Sequence, residues 1–234
     1  MGPAEPDDRG PALGEGRPGP ARAARSGPDR CPADARPLRA GPLRQAGALY
    51  AWVIAVVAAA QLLLYPVLRG PVHSRCALLG IQLGVYLLLA APAVLWSPRT
   101  LELLRAPGWQ IGLGVTVVAA ALARQAIGHS DSGLEVVYLA VTFCPVGLIE
   151  ELVFRGFIWD RCREAGLGPV LVVAVNVIAF AFWHVPVVLS DHGGFTELAW
   201  DAGLGLVLSL VRLWSGNTAL AGLLHAAWDI SGGL

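Results

Sequence analysis

The hydrophobic and polar positions divide the chain into long uncharged blocks separated by short polar breaks. No charge occurs from Gln45 to Leu68, from Cys76 to Pro98 or from Ala106 to Ala123, and His184 is the only ionisable group from Ala165 to Ser190. At 1.5 Å per helical residue, roughly 20 residues cross a hydrocarbon core of about 30 Å, so each block has the length of a membrane span. The pattern predicts helices at about 46–68, 77–97, 108–124 and 168–189. Three more, at about 134–160, 198–213 and 217–232, are interrupted by charges. Breaker residues mark the connections: Arg69-Gly70-Pro71, Ser97-Pro98, Gly128, Gly166-Leu167-Gly168-Pro169, His192-Gly193-Gly194 and Ser215-Gly216-Asn217. The expected fold class is all-α, a polytopic transmembrane helical bundle of seven spans, or eight.

Residues 1–44 break this pattern. They are crowded with Pro, Gly, Ala and Arg and hold few aliphatic or aromatic residues, too little to offset the entropy of ordering. They are expected to form a disordered tail, leaving 45–234 as the transmembrane helical domain. Composition agrees with a bilayer as solvent. Only 15% of the 234 residues are charged, against about a quarter in soluble domains, and mean hydropathy is +0.59. The cysteines Cys31, Cys76, Cys144 and Cys162 are scattered, with neither the spacing of a zinc site nor that of a disulfide framework.

All 17 basic residues are arginine, and their placement predicts an orientation. With seven spans, one side receives Arg30, Arg36, Arg39, Arg44, Arg99, Arg105, Arg161, Arg163 and Arg212, and the other receives Arg69, Arg75 and Arg124. This places the N-terminus in the cytoplasm and the protein in a cell membrane, expected to be a bacterial plasma membrane. The position of the C-terminus depends on the odd number of spans.

Ionisable side chains within membrane helices cost several kcal/mol unless paired or hydrated, so each is a candidate for function. They gather in the later helices. In Glu150-Glu151-Leu152-Val153-Phe154-Arg155, Glu151 and Arg155 stand at i and i+4, where an ion pair forms naturally. Adjacent carboxylates point about 100° apart, which leaves Glu150 free to act as a base. Alternatively, the segment is the interfacial end of a helix. Phe180-Ala181-Phe182-Trp183-His184 places an imidazole inside an apolar helix, as a base or as a hydrogen-bonded packing residue. Asn176, two turns earlier, suits the same face or a helix-to-helix hydrogen bond. His225 and Asp229, at i and i+4, share a face, so Asp229 orients His225, shares a bound species with it, or simply pairs with it. Glu150 and His184 are equidistant from Leu167 in the Gly166–Pro169 breaker. An antiparallel hairpin turning there sets the two at similar depth.

These three segments, in this order and spacing, resemble the motifs of the CAAX protease and bacteriocin-processing (CPBP, or Abi) family of intramembrane proteases, to which the type 2 CAAX prenyl proteases belong. Glu150–Phe157 is similar to the family's first motif, and Gly216-Asn217-Thr218 leading to His225 is similar to its last helix. The likeness covers about 134–232. It implies a helical bundle enclosing a conical cavity, in which Glu150 and His184 activate water for attack on a peptide carbonyl. His225 and residue 229 would stabilise the oxyanion, with Glu151, Arg155 and Phe180 in support. Asp229 departs from the family, where asparagine is common, and an acid donates to an oxyanion only when protonated. The favoured mechanism needs no cofactor. The alternative is a divalent metal such as zinc, held by His184, His225, Glu150 and Asp229, which Asp229 suits better than asparagine does.

Other intramembrane protease chemistries lack their parts: there is no His-Glu-x-x-His motif, no glycine two residues before Ser215 and no Gly-x-Gly-Asp. The expected activity is endopeptidase cleavage of a membrane-associated protein or peptide, at or within the cytoplasmic half of the bilayer. The expected partners are that substrate and the lipid bilayer, not a nucleic acid. Competing readings are a non-catalytic adaptor or bacteriocin-immunity protein of the same fold, and a small proton-coupled transporter. The second lacks an internal repeat or paired broken helices.

Overall fold

The computed structural model describes residues 38–64, 75–128, 133–190 and 194–232, and all the regular structure in them is helical. Eight α-helices follow one another: α1 Ala40–Ala59, α2 Arg75–Trp96, α3 Gly108–Gly128, α4 Gly133–Glu151, α5 Trp159–Glu164, α6 Pro169–Ser190, α7 Phe195–Ser215 and α8 Ala219–Ile230. A π-helical turn, Ala60–Leu64, extends α1. Another, Leu152–Ile158, joins α4 to α5 without a break, so one helical rod runs from Gly133 to Glu164. A 3₁₀ segment, Pro98–Leu104, links α2 to α3.

Among the described residues six helical stretches are long and apolar enough to cross a membrane: Ala40–Leu63, Ala77–Trp96, Gly108–Ile127, Gly133–Glu164, Pro169–Leu189 and Phe195–Ser215. This corrects the expected seven. The last helix has 12 residues and reaches only about 18 Å, so it is a buried helix rather than a span. Its bounds have a local cause. Gly216 adopts φ 75° to end α7, and Gly232 adopts φ 79° just after α8. The expected tail also ends earlier. Helix α1 starts at Ala40 because Pro42 falls in its first turn, where a missing N–H does no harm. Residues 1–37 of the tail lie outside the described residues, as do the Arg69-Gly70-Pro71 connector and His192-Gly193.

The hairpin expected at Gly166–Pro169 is present. Gly166, at φ 95°, closes α5 in a Schellman turn: Leu167 N–H donates to Cys162 O at 3.1 Å and Gly166 N–H to Arg163 O at 3.0 Å. Arg39 N–H donates to Ala165 O at 3.0 Å, fastening the start of α1 to this turn.

Helix α8 packs between α4 and α3 through glycine notches. A Cβ on Gly147 of α4 would lie 2.7 Å from Gly222 O and 2.8 Å from Ala226 N. A Cβ on Gly222 would lie 2.8 Å from Leu148 Cδ2, and one on Gly114 of α3 would lie 2.6 Å from Leu223 Cδ1. Small residues at such contacts let helices approach closely where lipid gives no hydrophobic drive to associate. Asn217 completes the seating, donating to Gln110 at the head of α3 and accepting from Leu220 N–H at 3.3 Å. Thr218 donates to Leu103 O in the 3₁₀ segment through both its backbone N–H, at 2.9 Å, and its hydroxyl, at 3.1 Å.

Gly147→Ala is therefore expected to lower the unfolding free energy by about 1–3 kcal/mol, read as a lower midpoint of thermal unfolding in detergent. Gly47→Ala, on the open face of α1 where a Cβ meets nothing within 4 Å, should leave it unchanged. Equal midpoints for the two variants would contradict the close α4–α8 contact.

Candidate active site

The site is built on the α4 rod at its change from α to π. Leu152–Ile158 is buried at every residue, and the wide turn carries Arg155 inward with its side chain fully buried. A guanidinium there needs every available acceptor. Arg155 Nη1 donates to Glu151 Oε1 at 2.8 Å, the ion pair expected from the i,i+4 spacing, and Nη2 donates to Gly205 O of α7 at 2.8 Å. The cation also lies 4.3 Å from the centre of the Phe180 ring. The clasp is reciprocal: Arg212 Nε of α7 donates to Arg155 O at 2.9 Å, satisfying a carbonyl in the irregular π-turn. Gly205 leaves room here: a Cβ would stand 3.3 Å from Arg155 Nη2 and 3.2 Å from Phe180 Cδ1, a tight contact that the neighbours would have to ease.

His225, delivered by α8, reaches both adjacent carboxylates even though they point apart, because its two ring nitrogens face different ways. Nδ1 lies 3.2 Å from Glu151 Oε1, off the line of a hydrogen bond, and Nε2 lies 3.9 Å from Glu150 Oε2. Asp229 Oδ1, one turn along α8, is 3.7 Å from the same Nε2. Tyr86 of α2 donates to the other oxygen of Glu150, Oε1, at 2.8 Å. Glu150 Oε2 and both oxygens of Asp229 are buried without a hydrogen-bond partner. An imidazolium at residue 225 would have carboxylates opposite both nitrogens.

His184 approaches from α6. Its Nδ1 is 2.9 Å from Phe180 O; a carbonyl can only accept, so Nδ1 is the donor, and in the neutral ring Nε2 is the acceptor. Asp201 Oδ2 of α7 lies 4.0 Å from the same Nδ1. The Phe180 ring separates the two histidines, with centroids 4.8 Å from His184 and 5.5 Å from His225. Asn176 Nδ2 donates to Val172 O of its own helix at 3.0 Å, so of its two readings the helix-to-helix hydrogen bond is not seen among the described residues.

A cavity of about 640 Å³ brings these groups together. Glu150, His184, His225, Asp229, Tyr86 and Asp201 line it, with an apolar wall that includes Val85, Phe143, Trp183 and Val187. Glu151, Arg155 and Phe180 lie behind that surface. The structure thus places Glu150, Glu151, Arg155, Phe180, His184, His225 and Asp229 in or directly behind this cavity, without Asn176, and adds Tyr86 and Asp201. Asp201 had a signal, an acid buried within an apolar helix and four residues after Glu197. Tyr86 had none, being a lone tyrosine in an apolar run. The four proposed metal ligands do not form one donor set. Among the described residues no three His, Cys, Asp or Glu groups are placed to hold a metal ion.

This arrangement of an acid pair, a buried arginine and two histidines agrees with the family comparison. Residues 132–231 match the Rce1-like family, described as type II CAAX prenyl endopeptidase Rce1-like. That stretch is similar to the Rce1-like family. It spans α4 to α8 and the whole site except Tyr86, and the family's general activity is CAAX-type proteolysis within the membrane. No match was found among curated proteins or among solved structures.

Breaking the Glu151–Arg155 pair from one side should be costly. Arg155→Met leaves the buried Glu151 carboxylate without its cation and is expected to lower stability by about 3–5 kcal/mol, measured by denaturant unfolding in detergent. Glu151→Leu combined with Arg155→Met should recover most of that loss. A double variant as unstable as the sum of its singles would contradict the pairing.

Proposed function

We infer that the chain is an endopeptidase that hydrolyses a peptide bond of a membrane-associated protein or peptide, using water activated by Glu150. The observation that carries this reading is Glu150 itself, a residue that lines the cavity, with Oε2 buried and unpartnered 3.9 Å from His225 Nε2 while Tyr86 donates to its other oxygen. A carboxylate held by one oxygen and free at the other can take a proton from water. His184, which donates through Nδ1 to Phe180 O, takes or relays that proton through Nε2 at the same cavity. The attacked carbonyl becomes an oxyanion, and His225 is the donor to it, oriented by Glu151 and Asp229 on either side. The proton taken from water then passes to the leaving amine, which completes hydrolysis. Asp229 serves here as an orienting group for His225, a role that requires no proton on its carboxyl.

Hydrolysis inside a bilayer also needs a compartment that admits water and excludes lipid, which a cavity lined by carboxylates, imidazoles and a phenol provides. The prenyl endopeptidase description of the matching family supports an apolar substrate group against the cavity's aliphatic wall. No cofactor takes part in this scheme.

Glu150→Gln and His184→Ala are each expected to slow cleavage roughly a hundred- to ten-thousandfold while the protein still folds and inserts. Comparing membrane-fraction proteomes of wild-type and Glu150→Gln cells should reveal an uncut precursor in the variant. Identical proteomes, or full activity in Glu150→Gln, would contradict the assignment. Activity of the purified protein should survive chelation, and metal analysis should find no stoichiometric zinc. Activity lost on chelation and restored by zinc would overturn the cofactor-free scheme.

A further inference from the structure

An oxyanion is stabilised by hydrogen-bond donors set in place before it forms. On the protease reading above, His225 is one such donor. Asp229, its neighbour on α8, cannot be a second while it is ionised, because a carboxylate only accepts. Both Asp229 oxygens are buried without a hydrogen-bond partner, and Oδ1 lies 3.7 Å from His225 Nε2. The side chain is in the right place with the wrong polarity. A second donor has to come from another helix.

Helix α2 carries it. Tyr86 lines the cavity, and its hydroxyl donates to Glu150 Oε1 at 2.8 Å, while Oε2 of the same carboxylate lies 3.9 Å from His225 Nε2. The base is flanked by a phenol at one oxygen and by an imidazole at the other. Water deprotonated by Glu150 adds to a carbonyl carbon beside it, so the carbonyl oxygen lies close to the same two groups. Helix α2, Arg75–Trp96, is outside the matched residues 132–231, so the family likeness does not reach Tyr86.

Resting on that protease reading, we propose that Tyr86 is a further catalytic residue, the second donor to the oxyanion, supplying the hydrogen bond that Asp229 lacks. In the resting site the phenol donates to a carboxylate, a charge-assisted bond. When Glu150 takes the proton of water, an O–H bond of the water breaks and its electron pair forms the new carbon–oxygen bond. The π pair of the carbonyl moves onto its oxygen. Negative charge has then left Glu150 and appeared on the oxyanion. The Tyr86 hydroxyl turns about its C–O bond and follows that charge, keeping its own proton throughout. Collapse re-forms the carbonyl and breaks the carbon–nitrogen bond, and the proton taken from water passes to the departing nitrogen.

The precursor that accumulates in Glu150→Gln cells supplies the substrate, and a peptide spanning its cut site is assayed with the full-length protein in detergent. Tyr86→Phe keeps the ring and is expected to lower kcat about a hundredfold while KM hardly changes. Adding Asp229→Asn to Tyr86→Phe should restore part of the lost kcat, because an amide supplies a donor beside His225. The same change in the wild type should not raise kcat. A second measurement needs no turnover: a phosphinate analogue of the cut-site peptide carries an anionic tetrahedral centre. Tyr86→Phe should weaken its binding by about the same factor as it lowers kcat. Wild-type kcat in Tyr86→Phe overturns the proposal. So does a lowered kcat with undiminished phosphinate binding and no gain from Asp229→Asn, which makes Tyr86 a support for Glu150 alone. The protease reading fails separately: if Glu150→Gln cells accumulate no precursor, there is no cleavage for Tyr86 to assist, and the proposal falls with it.

Discussion

A fully buried guanidinium within a membrane helix constrains everything around it. Arg155 cannot be hydrated, so its bonds to Glu151 and to the Gly205 carbonyl, with the Phe180 face alongside, fix three helical segments relative to one another. Once Glu151 is held in this way, its oxygen becomes the surface against which His225 rests, and the other nitrogen of that ring is delivered to Glu150 and Asp229. The apparent redundancy of two adjacent acids is resolved by this geometry: one binds the structural cation, and the other lines the cavity with one oxygen left without a hydrogen-bond partner. The π-turn makes both possible, because a regular helix would present Arg155 and its carbonyl on a different line from α7.

Close helix contact is the second requirement. His225 reaches its partners because α8 lies almost backbone to backbone against α4 at Gly147 and Gly222. The same closeness explains why α8 can be short. A helix anchored at its head by Asn217 and Thr218 and gripped along its length by two neighbours has no need to cross the bilayer.

Much of this was legible from the residues. Uncharged blocks of span length located the long helices to within a few residues, because a bilayer admits few alternatives to a helix. The Glu151–Arg155 pair followed from i,i+4 spacing, and the hairpin at Gly166–Pro169 from breaker chemistry. The length of α8 was misjudged because Ser215-Gly216-Asn217 and the closing glycines look the same whether a helix spans or stops short. Tyr86 was invisible, since nothing distinguishes a tyrosine that faces a carboxylate from one that faces lipid until α2 is placed against α4. Asp201 was open to discovery as a buried acid in an apolar helix. The walls of the cavity come from six helices, and no single segment encodes that.

The central claim is the position of one imidazole between two neighbouring carboxylates. Solid-state NMR of the protein in lipid, with ¹⁵N in histidine rings and ¹³C in glutamate carboxyls, measures it directly through dipolar dephasing. The account predicts strong nitrogen–carbon dephasing that disappears in His225→Gln, as required by the 3.2 Å and 3.9 Å separations from Glu151 and Glu150. Dephasing that is absent, or that persists unchanged without His225, would contradict it.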